Sequence, residues 1–188
     1  MSLDKEINQS LNVLKKGGLI LYPTDTVWGI GCDATNPDAI KKVYALKKRD
    51  DSKALICMVN DFRMLGHYVE EVPEVAYDIL KNTQKPTTII YDNPIRIASN
   101  LVANDNTLAI RVVRHRFCQE LIKKLKRPLV STSANISGQP TPKSFKEIHA
   151  DIINGVDYVV KLEKEKVTTK PSSIIKLSNN GLVNIIRK

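Results

Sequence analysis

The chain has 188 residues, of which 42% are hydrophobic and 26% are charged, a composition that is ordinary for a globular protein and that excludes a chain disordered throughout. Its 29 Lys and Arg residues outnumber its 20 Asp and Glu residues, and the net charge of +9 favours an anionic partner, either nucleotide phosphates or an RNA backbone. The cysteines Cys32, Cys57 and Cys118 stand apart with no Cys-x-x-Cys spacing, which indicates neither a disulfide framework nor a zinc site.

The chain opens with an amphipathic helix and a buried strand that ends in small polar residues. Apolar residues recur at helical spacing over residues 3–16, and a Gly-Gly pair then ends the helix. The apolar run over residues 19–22 predicts a strand, which Pro23 ends because proline cannot donate a hydrogen bond to a strand ladder. The Thr-Asp-Thr sequence over residues 24–26 therefore lies at the carboxyl end of the strand, where open α/β sheets bind ligands.

Two interpretations of residues 20–33 remain open at this point. Gly29 and Gly31 permit a close backbone approach to a ligand, and the neighbouring hydroxyl and carboxyl groups suit a polar small molecule. The same residues also suit an ordinary strand-turn-strand unit, in which the Thr and Asp side chains bond to their own backbone.

A second helix and a charged loop follow. Asn36, followed by proline, predicts the start of a helix. A charged loop over residues 47–53 joins this helix to a strand predicted over residues 54–59. Lys47 and Arg49 have two possible roles here, because cations are favourable at the end of a helix and also hold phosphate or carboxylate groups.

The middle of the chain alternates between helices and strands. We expect helices over residues 61–68, 73–82 and 117–125, and strands over residues 87–91 and 108–112. The connection over residues 92–106 is long, polar and without a regular pattern, which in a compact domain indicates a functional loop or partial disorder.

A second buried strand ends in the same way as the first. The strand beginning at Leu129 continues into consecutive hydroxyl and amide side chains and reaches Gly138. Two strand ends that present small polar groups strengthen the interpretation of a polar site.

The rest of the chain predicts a short helix, a loop and a hairpin. Ser144 is a candidate cap for a helix through His149, a strand covers residues 158–160, and the charged run over residues 161–170 indicates a mobile loop. Two apolar runs separated by an Asn-Asn-Gly turn predict a terminal β-hairpin.

These elements predict one α/β domain over residues 1–188, with a twisted mixed parallel and antiparallel sheet flanked by helices. The hairpin must be antiparallel, and neither a repeat nor a domain linker is evident. The polar first residues carry no apolar signal core, and no run of about 18 apolar residues occurs, so we expect a cytoplasmic protein.

Several common catalytic motifs are absent from the sequence. There is no Gly-x-x-x-x-Gly-Lys-Ser/Thr phosphate loop, no third glycine to complete a dinucleotide fingerprint, and no Gly-x-Ser-x-Gly elbow. The three histidines are isolated and show no metal spacing. Nucleophilic and zinc-based mechanisms therefore lack support.

Four motifs occur together in one order along the chain. They are Tyr22-Pro-Thr-Asp-Thr-Val-Trp-Gly29, Lys47-x-Arg49, Ser131-Thr-Ser-Ala-Asn135 with Ser137-Gly138, and Pro171-Ser-Ser-Ile174 followed by Arg187. In this combination the chain resembles the YrdC-like family of threonylcarbamoyl-AMP synthases, in its short single-domain form and without the C-terminal extension domain of longer members. The resemblance covers nearly the whole chain.

The resemblance implies an activity and its partners. Members of the family convert ATP, L-threonine and bicarbonate, with substrate-bound Mg²⁺, into threonylcarbamoyl-AMP and pyrophosphate. The product serves the threonylcarbamoylation of tRNA, so tRNA and a downstream threonylcarbamoyl transferase are implied as further partners.

The resemblance also assigns residues. It places catalysis on Lys47 and Arg49, L-threonine binding on Thr24, Thr26, Arg49 and Ser173, and nucleotide binding on Lys47, Arg49, Ser133, Asn135 and Arg187, with no metal ligand from the protein. Trp28 stands where the family usually has tyrosine, and we expect it to form a dry wall of the site. The loop after Arg49 lacks the family's usual prolines, which predicts a more mobile loop.

Two alternatives belong to other classes of protein. A basic RNA-binding accessory protein for tRNA or rRNA maturation fits the net charge, although the aromatic stacking signature of single-stranded RNA readers is missing. A carbamoyl-transfer module of hydrogenase maturation proteins contains a similar domain, but those chains are far longer and rich in cysteine.

Overall fold

Nine β-strands form one mixed sheet in the residues that the structure, a computed structural model, describes: 2–50, 55–168 and 170–188. The strands are β1 (Ile20–Tyr22), β2 (Gly29–Gly31), β3 (Ile56–Val59), β4 (Thr87–Asp92), β5 (Thr107–Val112), β6 (Leu129–Ser133), β7 (Tyr158–Val159), β8 (Ser173–Leu177) and β9 (Val183–Arg187). The α-helices of the same residues are α1 (Leu3–Lys15), α2 (Pro37–Lys47), α3 (Phe62–Tyr68), α4 (Glu74–Asn82), α5 (Arg116–Leu125) and α6 (Ala150–Gly155). Short 3₁₀ helices cover Ser99–Leu101 and Phe145–Glu147.

The sheet mixes parallel and antiparallel neighbours, which confirms the prediction from the sequence. Its strand order is β7-β1-β2-β6-β3-β5-β4-β8-β9. Three neighbouring pairs run parallel, namely β1 with β7, β3 with β5, and β4 with β8, and the other neighbours are antiparallel. The terminal hairpin of β8 and β9 is formed as expected, with Gly181 of its turn at a φ of 84°.

Helices cover both faces of the sheet. Ile20 and Tyr22 of β1 belong to an apolar cluster with residues of α1 and α5, whereas Leu21 belongs to a cluster with residues of α2 and α6. Successive strand residues point to opposite faces, so β1 is buried from both sides. This explains why its sequence is a continuous apolar run.

Helix α2 begins where the sequence indicated, but it includes Lys47, which we expected in the loop, and its end is important for the site. The Asn36 side chain accepts hydrogen bonds from the backbone amides of Asp38 and Ala39 at 3.0 and 3.1 Å. The helix ends at Lys47, and Lys48 follows in the left-handed conformation with a φ of 49°. The backbone amide of Arg49 then bonds to the Tyr44 carbonyl at 3.0 Å, which turns the chain away from the helix axis.

Gly31 is required by close packing within the sheet. A Cβ atom on Gly31 would collide with the Val130 carbonyl oxygen and would lie 2.7 Å from Cε1 of the Tyr22 ring. The Tyr22 hydroxyl crosses β2 and donates to the Val130 carbonyl at 3.1 Å. The close approach at Gly31 is therefore to residues of the neighbouring strands β1 and β6, whereas the sequence permitted an approach to a ligand.

The helix predicted from Ser144 to His149 is formed only in part. The chain forms a 3₁₀ helix over Phe145–Glu147, and the Ser144 side chain makes no capping hydrogen bond. Helix α6 begins after His149, whose Nδ1 accepts a hydrogen bond from the Asp151 amide at 3.1 Å. Histidine serves here as the cap acceptor, a role for which serine or aspartate is the usual signal.

The connection over residues 92–106 is neither disordered nor part of the site described below. Its Ala98 amide donates to the Ala34 carbonyl at 3.2 Å, the Asn93 amide donates to the Asn106 carbonyl at 3.0 Å, and Leu101 is buried. The segment packs beside α2. Local hydrogen bonds and one buried leucine order a segment that has no periodic pattern.

The described residues of the charged run over residues 161–170 contact one another and other parts of the chain. Glu163 pairs with His115 and with Lys166, at 2.8 Å in each case, and the ammonium of Lys164 lies 4.3 Å from the centre of the Phe145 ring. These contacts connect the described part of the run to His115 and Phe145, and its mobility stays a prediction.

Some expectations fall on residues 51–54, which lie outside the described residues. These include residues 51–53 of the loop after Arg49, which is predicted to be more mobile, and the first residue of the strand predicted over residues 54–59. Residues 56–59 of that strand form β3. The three cysteines are buried free thiols, with Cys57 in β3 as expected. Among the described helices, none has the length and apolar run that crossing a membrane requires.

Candidate active site

A cavity of about 320 Å³ lies over one face of the sheet. Its lining comes from the Thr26–Gly29 segment, from Arg49, from Thr141 in the loop after β6, and from six further strands or the residues next to them. The lining residues are Thr26, Val27, Trp28, Gly29, Arg49, Leu55, Ile56, Ile90, Ala109, Arg111, Ser131, Thr132, Ser133, Thr141, Pro171, Ser172, Ile174 and Arg187. The lining contains apolar side chains with a few convergent polar groups, as expected of a small-molecule site.

Strand register builds the floor of this cavity. Ser131 of β6 lies opposite Ile56 of β3, Ile56 opposite Ala109 of β5, and Ala109 opposite Ile90 of β4. These four residues form one row across the sheet, and all of them line the cavity. The site therefore extends across the face of the sheet and is larger than the strand edge that the sequence indicated.

Three arginines provide positive charge to the cavity, and no acidic residue is among its described lining residues. They are Arg49 after α2, Arg111 in β5 and Arg187 in β9. Burial lowers the pKa of Arg187, and the nearby charge of Arg111 lowers it further. Like charges that converge in a half-enclosed space favour an anionic ligand.

Arg111 is the most deeply placed of these cations. Its side chain is 4% exposed and pairs with Asp25, with 3.1 Å between Nη2 and Oδ1. Its Nη1 donates to Thr26 Oγ1 at 3.1 Å. Its Nε is buried and has no hydrogen-bond partner among the described residues.

The hydroxyl of Thr24 is fully used by its neighbours. Its Oγ1 donates to the Val27 carbonyl at 2.8 Å and accepts from the Thr26 amide at 3.0 Å. Because its single hydrogen goes to Val27, the 3.0 Å contact between the two threonine hydroxyls must have Thr26 as the donor. Thr26 therefore donates to Thr24 and accepts from Arg111, and it retains only acceptor capacity toward the cavity.

Lys47 reaches from the end of α2 to the turn after β6. Its Nζ donates to the carbonyl oxygens of Ser133 at 2.5 Å and Asn135 at 2.6 Å, and to Asn135 Oδ1 at 3.3 Å. The Ser133 hydroxyl also donates to Asn135 Oδ1, at 2.5 Å. Burial lowers the pKa of Lys47 to about 8, with a further contribution from the charge of Arg49.

Arg187 is oriented by the segment that precedes β8. Its Nε donates to the Ser172 carbonyl at 2.9 Å, and its Nη2 lies 3.4 Å from Ser172 Oγ. The Ser172 hydroxyl in turn lies 2.8 Å from Thr88 Oγ1. Ser172 thereby joins β4, β8 and β9 at one end of the cavity.

The residues predicted from the sequence fall into two groups. Thr26, Arg49, Ser133 and Arg187 line the cavity, as does Trp28, whose ring packs against Phe145 at a centroid distance of 5.0 Å. Thr24, Lys47, Asn135 and Ser173 do not line it. Thr24 and Lys47 are buried behind the lining, and Ser173 belongs to β8 beside the lining residue Ser172.

Sequence reasoning missed Arg111 and Ser172. The signal for Arg111 was a charged residue in the middle of an apolar strand, because a buried charge requires a partner or a function. Asp25, in the Thr-Asp-Thr sequence, is that partner. Ser172 is next to the predicted Ser173. Successive side chains alternate in direction along an extended chain, so only one of the two serines lines the cavity, and the strand register determines which one.

The described residues do not form a metal site of their own. No carboxylate is among the described residues that line the cavity, and no group of three His, Cys, Asp or Glu residues in the described chain is placed to hold a metal ion.

Known proteins similar to this chain share its fold and most of its length. The chain matches the Sua5/YciO/YrdC family model, described as "Telomere recombination", over residues 12–188. It is 34% identical to the threonylcarbamoyl-AMP synthase of Idiomarina loihiensis, over 88% of this chain and 90% of that protein.

Two solved structures extend the comparison. The chain superposes on P. abyssi Sua5 complexed with L-threonine with a TM-score of 0.83 and 26% identity, covering 94% of this chain and 52% of that one, so it spans about half the length of Sua5. It superposes on E. coli YciO with a TM-score of 0.85 and 26% identity, covering 98% of this chain and 89% of that one.

Proposed function

The chain belongs to the Sua5/YciO/YrdC family, and from this membership we infer that it is a threonylcarbamoyl-AMP synthase that uses ATP and L-threonine. The observation that carries this inference is the similarity to named synthases over most of the chain. The enzyme is a nucleotidyltransferase: it transfers AMP from ATP to an acceptor and releases pyrophosphate. The same similarity favours the synthase over an RNA-binding accessory protein.

The proposed reaction brings anionic groups together. The amine of threonine combines with bicarbonate to give a carbamate, with loss of water. A carbamate oxygen then attacks the α-phosphorus of ATP, the bond from this phosphorus to the β-bridging oxygen breaks, and pyrophosphate leaves. The carboxylate, the carbamate and the triphosphate all carry negative charge, so catalysis requires positioning and positive charge more than a protein nucleophile.

The charge of the cavity suits this requirement. We propose that the guanidinium groups of Arg49, Arg111 and Arg187 hold the carboxylate, carbamate and phosphate oxygens. Planar guanidinium groups can donate two parallel hydrogen bonds to such oxygens. The apolar residues of the cavity, together with Trp28, would limit the access of water to the mixed anhydride that forms.

Two of the hydroxyl groups that line the cavity, those of Thr26 and Ser133, would have a different role. The hydrogens of Thr26 and Ser133 are donated within the protein, to Thr24 and Asn135. Both oxygens can therefore accept hydrogen bonds from the amine or hydroxyl of threonine, whereas neither can donate to phosphate without rearrangement.

Further partners belong to the same proposal. Mg²⁺ enters it only as a counter-ion of the ATP phosphates, because the described lining offers no carboxylate ligand. Bicarbonate is the proposed source of the carbamate carbon. Transfer of the threonylcarbamoyl group to tRNA, by a downstream transferase, is the proposed use of the product.

Detection of the product tests this function. Purified protein with ATP, Mg²⁺, L-threonine and bicarbonate should form threonylcarbamoyl-AMP, seen by mass spectrometry, in step with pyrophosphate. Omission of L-threonine or bicarbonate should abolish both products, and serine should replace threonine poorly. Arg49→Ala should lower the rate by about 10²-fold or more, because a charge that stabilises the transition state is lost.

The matched control is Arg63→Ala, which removes an exposed arginine from α3 and should leave the rate within about twofold. Absence of threonylcarbamoyl-AMP from complete reactions with folded protein would overturn the proposal. Retained RNA binding in such protein would then favour the RNA-binding alternative.

A further inference from the structure

Lys47 is the first residue of the Lys-x-Arg motif, yet its ammonium is turned away from the cavity. The residue is 1% exposed and does not line the cavity. An ammonium group has three N–H donors, and the three oxygens around Nζ, from Ser133 and Asn135, match them one for one. No donor of Lys47 is left for a phosphate in this arrangement.

The Asn135 side chain is occupied in the same way. Its Oδ1 accepts from Ser133 Oγ and from Lys47 Nζ. Its Nδ2 donates to the carbonyls of Gln139 at 2.6 Å and Ile136 at 3.2 Å. Every hydrogen-bonding group of the Asn135 amide therefore already has a partner, which is either Lys47 or a residue within 133–139.

The backbone of Lys47 adds a further connection. Its carbonyl accepts a hydrogen bond from the Ser137 amide at 2.8 Å. Both the side chain and the main chain of Lys47 thus hydrogen-bond the end of α2 to the turn after β6. Arg49 lies two residues after Lys47, and Ser133 is one of its hydrogen-bond partners. Both Arg49 and Ser133 line the cavity.

We propose that Lys47 is a positioning residue, whose ammonium clamps the turn over residues 133–139 to the end of α2 and so fixes Arg49 and Ser133 relative to each other. The proposal rests on the proposed function for its consequence in turnover. The clamp itself is a property of the protein without substrates. Lys47 acts on the reaction through Asn135 and the turn, and not by contact with the nucleotide.

The proposed role requires Lys47 to be protonated. The ammonium is required to donate three hydrogen bonds at once, and the pKa of the group, lowered to about 8 by burial, lies close to neutral pH. The charged group whose field acts on Lys47 is Arg49, which lowers the pKa further. Deprotonation removes one donor and should loosen the turn.

A double-mutant cycle separates positioning from direct contact. We expect Lys47→Met and Asn135→Ala each to lower kcat/KM by roughly 10²-fold, because small displacements of positioned groups have effects of this size. The double variant should be no worse than the poorer single variant, because Lys47→Met removes the ammonium bonds to the turn. Asn135→Ala removes the amide bonds within the same turn, so either substitution loosens it. Inhibition by inorganic pyrophosphate should weaken by about the same factor in both single variants.

Multiplicative losses in the double variant, together with weakened pyrophosphate inhibition in Lys47→Met alone, would show direct contact and overturn the proposal. Lys48→Met is the matched control, since Lys48 is exposed and should change these values by less than about twofold. If Lys47→Met does not fold, the comparison of Asn135→Ala with wild type tests the clamp, because that variant keeps the lysine.

Two readouts distinguish this proposal from the function itself. Amide hydrogen exchange over residues 133–139 should accelerate at least tenfold in Lys47→Met and not in Lys48→Met, and this needs no turnover. Unchanged exchange would overturn the clamp even in a fully active enzyme.

The second readout is the pH dependence of turnover. The wild type should lose activity as pH rises through about 8. The same alkaline decline in Lys47→Met, which lacks the ammonium, would contradict the role of the Lys47 ammonium.

Discussion

Individual side chains at the site differ in whether their hydrogen-bonding groups are already occupied. The hydrogen-bonding groups of Thr24, Lys47 and Asn135 are occupied within the protein, whereas the Nε of the lining residue Arg111 has no partner among the described residues. A sequence motif can contain residues whose hydrogen-bonding groups are occupied within the protein as well as residues whose groups are not, since the site needs both. Only the count of donors and acceptors separates residues that contact a ligand from residues that hold others in place.

Thr24 offers a test at this scale. Thr24→Val keeps the shape of the side chain but removes the Thr24 partner of the Thr26 amide and of the Val27 carbonyl. It also removes the acceptor of the Thr26 hydroxyl, which keeps only its bond from Arg111. We expect the free energy of unfolding to fall by about 1–3 kcal/mol, measured by urea denaturation. Thr24→Ser keeps the hydroxyl and should cost less than about 1 kcal/mol. Equal losses in the two variants would mean that the hydroxyl has no such role.

The sequence located this region but could not resolve it by residue. The motifs identified Thr26, Arg49, Ser133 and Arg187, all of which line the cavity. Arg111 was missed because its partner Asp25 is distant in sequence, and the two meet only through the placement of β1 and β5. The assignment of contact roles stays a prediction until the variants are measured.

At the scale of elements, helix and strand positions followed from periodicity and breakers, and the failures lie where caps or packing act. Pro23 and Asn36 marked a strand end and a helix start correctly because their effects are local. His149 was missed because its imidazole replaces a usual capping residue. Gly31 shows the same limit, since its need for glycine arises from Tyr22 and Val130 across the sheet.

Alanine substitutions at Gly31 in β2 and at Gly66 in α3 should change stability in opposite directions. Gly31→Ala should lower the free energy of unfolding by more than about 3 kcal/mol, because its methyl group would meet the Val130 carbonyl and the Tyr22 ring. Gly66→Ala, in α3, meets no atom within 4 Å and should raise stability by about 0.5–1 kcal/mol. Thermal and urea unfolding measure both, and a tolerated Gly31→Ala would refute the packing argument.

At the scale of the whole molecule, the order of strands decides what the site contains. The sequence predicted a mixed sheet, but it could not show that β6 lies between β2 and β3, or that β9 carries Arg187 to the cavity. The pairing of strands that are distant along the chain leaves no recognisable pattern in the sequence of either strand. The cavity gathers residues from Thr26 to Arg187, so a stable whole domain is a condition for activity.

The measurement that tests the account most directly is threonine-dependent pyrophosphate release by wild type, Arg111→Gln and Arg114→Gln. Arg111 lines the cavity, whereas Arg114 lies outside it with its Nη2 bonded to the Leu80 carbonyl at 2.8 Å. We predict release that requires both threonine and bicarbonate, falls by about 10²-fold or more in Arg111→Gln, and stays within about threefold of wild type in Arg114→Gln. Equal rates in the two folded variants, or release independent of threonine, would contradict the assignment of this cavity as the site of threonylcarbamoyl-AMP synthesis.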